Sequence, residues 1–262
     1  MFKKVSFLLM VLSLAFGMLF TATPVQAEVE CTGTGYNRDG INLTAAYINP
    51  PKLEGTEIDA TGCNIGVYFD TNVGSAVLDN VEIYGANYFG VMVNGSAGPV
   101  EVNIKNSSIH HIGEDPFGED PFNGAQHGVA VYYAGLDGNA VTGTVEGNEV
   151  YAYQKGGIAV NGATTDVTVK DNVVTGLGPV DFIAQNGIQF GWEAKGKITG
   201  NTVSGNNYTI GCTGNGIGSC TWISAGILLY DPDPDVWRSG ASLKATNDLF
   251  DNQIDLYIYY VH

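Results

Sequence analysis

Val145-Glu146-Gly147-Asn148-Glu149-Val150 and, a few residues on, Gly157-Ile158-Ala159-Val160 decide the fold. Apolar residues alternate with polar or small ones on either side of an Asn, and a Gly opens the next apolar alternation. Period-two alternation in short runs bounded by turn residues is the signature of strands. The Gly pattern recurs at Gly66-Val67-Tyr68-Phe69, Gly90-Val91-Met92-Val93, Gly128-Val129-Ala130-Val131, Gly187-Ile188-Gln189-Phe190 and Gly226-Ile227-Leu228-Leu229. Between the copies stand Asn80, Asn106, Asn148, Asn172, Asn201 and Asn247. Asn tolerates the left-handed backbone region that such turns use. Each copy therefore holds three short strands. Stacking the copies aligns the inward Val and Ile in columns and lets the Asn residues hydrogen-bond from turn to turn, the ladder that stacked strands favour. A single copy cannot bury its apolar face, so the repeats must come in series.

Asn-to-Gly spacing shows where the coil varies. It is short from Asn80 to Gly90 and from Asn148 to Gly157, and long from Asn106 to Gly128, Asn172 to Gly187 and Asn201 to Gly226. The insertions thus leave from one corner, just before the Gly strand. In a solenoid, insertions gathered on one face mark the binding face. At ~4.8 Å per rung the coil is expected to be a rod of roughly 35 Å, long enough for several sugar units.

The ends and composition set the context. Lys3 and Lys4, an apolar run from Val5 to Phe20 and the small residues Val25 and Ala27 read as a signal peptide over residues 1–27. The run is shorter than the ~20 residues a membrane span needs. A secreted, extracellular protein is expected, with no membrane insertion. The formal net charge is −16, and loss of Lys3 and Lys4 makes the chain more acidic still. Such a surface repels nucleic acid, whose binding rests on phosphate neutralisation. Cys31, Cys63, Cys212 and Cys220 are an even set in an oxidising compartment. Local staples Cys31–Cys63 and Cys212–Cys220 are the favoured pairing. No His lies near Cys212 or Cys220 to complete a metal site.

The repeat resembles the pectin lyase-like, or parallel β-helix repeat, superfamily of secreted proteins, from roughly Cys63 to Ile258. The resemblance implies an all-β, single-domain right-handed parallel β-helix over 28–262, with an N-terminal cap over about 28–62 and rungs over about 63–262. It also implies a polysaccharide cleft on the Gly-strand sheet and its preceding loops. Polygalacturonase-like hydrolases carry paired Asp motifs, Gly-His-Gly and Arg-Ile-Lys. Here Gln126-His127-Gly128 stands alone. Pectate lyase-like enzymes place acidic calcium ligands on the outward face and use an Arg or Lys base. Parity puts Met92, Ala130, Ala159, Gln189 and Leu228 in one outward column, and Asn94, Tyr132, Asn161, Gly191 and Tyr230 in the next, without a carboxylate.

The insertion after Ile112 duplicates Gly113-Glu114-Asp115-Pro116-Phe117 as Gly118-Glu119-Asp120-Pro121-Phe122. Glu114, Asp115, Glu119 and Asp120 could supply oxygen ligands to Ca2+, or form a plain solvated loop. His110, His111 and His127 bracket it. His127 beside Asp115 or Asp120 would make a general base, against the plainer reading of a strand-opening residue. Lys155, in Gln154-Lys155-Gly156, sits at the same corner one rung later, where it could serve an acidic sugar as cation or base. Tyr132, Tyr230 and Trp192, with Trp222 and Trp237 nearby, could stack on sugar rings, with Asn161 and Gln189 as polar contacts. Three functions follow. The first is a carbohydrate-active protein that binds an extracellular polysaccharide and, as a lyase or glycosidase, cleaves it. The second is a non-catalytic surface or matrix module. The third is a polymer-level epimerase, for which Asp231-Pro232-Asp233 lacks the His of an Asp-Pro-His-Asp motif. A capped solenoid is expected to be a monomer.

Overall fold

The computed structural model describes residues 29–72, 74–118, 122–135, 137–210, 222–238 and 240–260. The segment read as a signal peptide and the cysteines Cys212 and Cys220 lie outside the described residues.

Among the described residues the repeats wind into a coil with three sheets. Sheet 1 has nine strands: Thr32–Arg38, Ile41–Ile48, Ile65–Phe69, Phe89–Val93, Val129–Ala134, Gly156–Asn161, Asn186–Gly191, Ala225–Tyr230 and Ile254–Tyr259. Sheet 2 has six strands, from Lys52–Glu54 to Lys195–Thr199, and sheet 3 has seven, from Glu57–Asp59 to Asp248–Phe250. The chain visits the sheets in the order 1, 2, 3, and each strand pairs in parallel with its counterpart one rung away. The first strand is the exception. Thr32–Arg38 folds back antiparallel on Ile41–Ile48 and closes the N-terminal end. Ile41–Ile48 already pairs in parallel with Ile65–Phe69, so the coil begins before the expected boundary near residue 63. The Cys31–Cys63 disulfide, with Cα atoms 5.4 Å apart, ties the antiparallel strand to the first full rung.

Inside the coil Val67, Val91, Val131, Ile158, Ile188 and Ile227 stack as one column of the core, flanked by Phe69, Val93, Tyr133, Val160, Phe190 and Leu229. Tyr133 is wholly buried and its hydroxyl donates to the Val102 carbonyl at 2.8 Å.

The turn between sheets 2 and 3 uses Asn in two different ways. Asn148, Asn172, Asn201 and Asn247 form the expected ladder, with side-chain amides donating to the next Oδ1 at 2.9 Å. Asn80 and Asn106 do not belong to it. They stand one position earlier, at φ 52° and 49°, in register with Gly147, Asp171 and Gly200. There the Asn serves for its tolerance of the left-handed region. The ladder position of the Asn106 rung is held by Ser107, whose N–H donates to Asn148 Oδ1 at 2.9 Å.

A second correction concerns Gly128. Val129 pairs with Gly156 and Tyr132 with Ala159, so Ala130, not Gly128, falls in the Gly column. Gly128 is a glycine for another reason: its φ is +82°, and a Cβ there would sit 2.6 Å from Cβ of Gln154. Ala130 is accordingly core, and Tyr132 joins Tyr68, Met92, Ala159, Gln189 and Leu228 on the outward face.

Candidate functional site

The outward face of sheet 1 carries a groove of about 200 Å³ along the coil axis. Gly156 and Ala159 are among its lining residues, and a hydrogen and a methyl group in place of larger side chains let a ligand approach the sheet there. Phe89 and Tyr132, from adjacent rungs, stack with ring centroids 5.2 Å apart at one end of the groove. Trp192 stands at the other, 47 % exposed and 5.2 Å from the Tyr230 ring. Tyr230 stacks in turn on Tyr259 at 5.3 Å, so the aromatic row continues past the groove along the axis. Gln189 donates to Asn161 Oδ1 at 3.1 Å, which fixes two polar groups on the groove wall.

Two cations enter this groove. Arg38 belongs to the antiparallel strand that folds over the first rungs. Its guanidinium lies 5.2 Å from the centre of the Phe89 ring and donates to the Gln126 carbonyl at 3.0 Å. Asp39 approaches its Nε at 3.7 Å but is not among the lining residues. Lys155 sits on the turn between sheets 3 and 1. Its Nζ donates to the Ala184 carbonyl at 2.8 Å, and no carboxylate pairs with it among the described residues. Burial without a counter-charge disfavours the ammonium form, and the amine is pushed down from 10.5 to about 8. Among the described residues no carboxylate lines the groove.

The structure thus brings Tyr132, Lys155, Asn161, Gln189 and Trp192 to one groove, with Tyr230 beside it. It does not bring His127 there. That ring stacks on Tyr88 at 4.0 Å, and its Nε2 pairs with Glu114. The acid beside His127 is therefore Glu114 rather than Asp115, because the insertion folds back at its first turn; Asp120 and Glu119 lie outside the described residues. Gln154, fully buried, holds the same loop: its Oε1 accepts from the N–H groups of Glu114 and Asn123, and its Nε2 donates to the Ala125 carbonyl. Asp115 takes φ 42° in a turn closed by the Gly118 N–H. Among the described residues no group of three or more His, Cys, Asp or Glu side chains converges as a metal site would. His110 is wedged between Tyr84 and Tyr151 on sheet 3, away from the groove.

Arg38 and Phe89 escape a reading of the sequence. Arg38 reaches the groove through a hairpin that no spacing announces. Phe89 precedes Gly90, and its outward direction follows from the bend at the Gly, across which the strand pairing skips a residue.

The family model described as right handed beta helix region matches residues 37–230. The chain belongs to the right-handed β-helix family. No curated protein and no solved structure matches it. In this β-helix the match spans the rungs from Ile41–Ile48 to Ala225–Tyr230 and takes in Arg38 at the end of the antiparallel strand. No helix among the described residues is long and apolar enough to cross a membrane.

Proposed function

We propose that this β-helix protein is exported as a monomer and binds an extracellular acidic polysaccharide along the groove of sheet 1. One observation carries the reading. On a chain of net charge −16, Arg38 and Lys155 meet Phe89, Tyr132 and Trp192 in a groove whose described lining contains no carboxylate. The Tyr132 and Trp192 faces stack on the apolar C–H face of a sugar ring, the wholly buried Phe89 supports Tyr132 and Arg38 from beneath, and the cations match a uronate carboxylate. A neutral glycan would leave the half-buried Lys155 ammonium without a counter-charge, which is costly.

Lys155 also favours cleavage over mere adhesion as a second reading. An amine near pKa 8 can take the proton from the carbon beside a uronate carboxylate. The electron pair then forms a carbon–carbon double bond, the glycosidic C–O bond breaks, and the expelled oxygen takes a proton from solvent. A hydrolytic reaction would need two carboxyl groups flanking the sugar, and the described lining has none.

The test is retention of the purified protein on immobilised acidic and neutral polysaccharides, with and without calcium, with ultraviolet detection of unsaturated uronides. Acidic polymers are expected to retain it and neutral ones to release it. A calcium requirement would give the loop carboxylates Glu114, Asp115, Glu119 and Asp120 a role as ligands. Equal retention on neutral polymers, or none on any, would overturn the reading.

A further inference from the structure

A second cavity, of about 340 Å³, opens on the other side of Lys155. Its walls are Phe182, Ile183, Ala184, Tyr208 and Trp222, and it shares Gln126 and Lys155 with the groove. The two spaces run differently. The groove follows the axis across four rungs, from Phe89 through Tyr132 and Ala159 to Gln189. The second cavity lies around the corner, where the chain enters sheet 1 from the loops. Among the described residues neither cavity is lined by a carboxylate, and Lys155 is the only cation common to both.

We infer that the ligand is branched: a backbone lies along the groove, and an acidic side branch crosses Lys155 into the second cavity. The inference rests on the polysaccharide-binding reading above and adds to it the shape of the ligand. A straight chain along the axis would fill the groove alone and leave Phe182 and Trp222 without a ring to cover. Trp222 is 66 % exposed, so its indole is open to such a contact. A branch that leaves the backbone at the level of Lys155 satisfies both spaces, with its carboxylate on the ammonium and its ring against the aromatic wall.

Calorimetric titration of the full chain with three probes tests this: an unbranched xylo-oligosaccharide, the same oligosaccharide carrying a glucuronate branch, and a linear galacturonate oligomer. The branched probe is expected to bind about tenfold more tightly than the linear acid, the upper scale of the extra ring contact, since both acids offer Lys155 a carboxylate. Phe182→Ala and Trp222→Ala, each made separately, are expected to remove most of that advantage and to leave the linear acid unchanged. Equal affinity for the two acidic probes, or equal losses for both in the two variants, would overturn the branched ligand while leaving the groove reading intact. Failure of both acidic probes to bind would overturn the groove reading itself.

Discussion

Asn172 and Lys155 show how single side chains set the stability and chemistry of this coil. Asn172 Oδ1 accepts from the N–H and the amide of Asn148, while its own amide donates to the Val145 carbonyl and to Asn201. Asn172→Ala would leave a buried N–H and a buried carbonyl unpaired, each costing about 1–3 kcal/mol. The variant should lose about 3 kcal/mol in chemical denaturation, and a loss below the error of the measurement would remove the ladder from the account. Lys155 behaves in the opposite sense. Its amine falls from 10.5 to about 8 on folding, so between those pH values the unfolded chain holds the proton more tightly and stability rises with pH. At neutral pH the shift costs roughly 3 kcal/mol. Lys155→Met forfeits about 1 kcal/mol of hydrogen bond to Ala184 and should be about 2 kcal/mol more stable than the parent near pH 7. That gap should close before the pH reaches 10.5 and reverse above it, as thermal unfolding across pH would record.

Strands and turns were legible in the sequence to the extent that one chemical need marks one residue type. Alternation marks all three sheets because each strand has a core side and a solvent side. The insertions at one corner, the loops that wall the second cavity and give Gln126 to the groove, were legible by the same token. The errors arose where one residue type serves two needs. Asn both accepts the left-handed turn at Asn106 and builds the ladder at Asn148. Gly both bends the strand at Gly157 and takes positive φ at Gly128, and the second use shifts the apparent frame by two residues. Among the candidate site residues on Gly strands, Asn161 and Gln189 could be placed from alternation, which gave Tyr132 its outward side but set it two residues out of its column. His127 could not be placed, because its direction depends on how the 113–127 loop folds. Gln154 joins Glu114, Asn123 and Ala125 of that loop, so Gln154→Ala should speed proteolytic cutting within it severalfold. Cutting at the parental rate would show that other contacts hold the loop.

At the scale of the molecule, a stiff coil lays small residues, aromatic ends and two cations along one axis. The N-terminal hairpin supplies Arg38, the middle rungs supply Tyr132, Ala159 and Gln189, and the loop corner supplies Lys155. No segment of the chain contains the site by itself, which is why stacking had to be known before the cations could be seen together. Their meeting predicts a binding curve with a definite pH dependence. Affinity for an acidic glycan should hold while Lys155 is protonated and weaken as the pH passes about 8, whereas elimination, if the protein cleaves, should quicken over the same range. The most direct measurement is a calorimetric titration of a galacturonate oligomer into the parent and Lys155→Met proteins near neutral pH. The account predicts binding to the parent that weakens about tenfold or more in the variant, the scale of a lost partly buried charge pair. Equal affinity in the two proteins, or none in the parent, would contradict it.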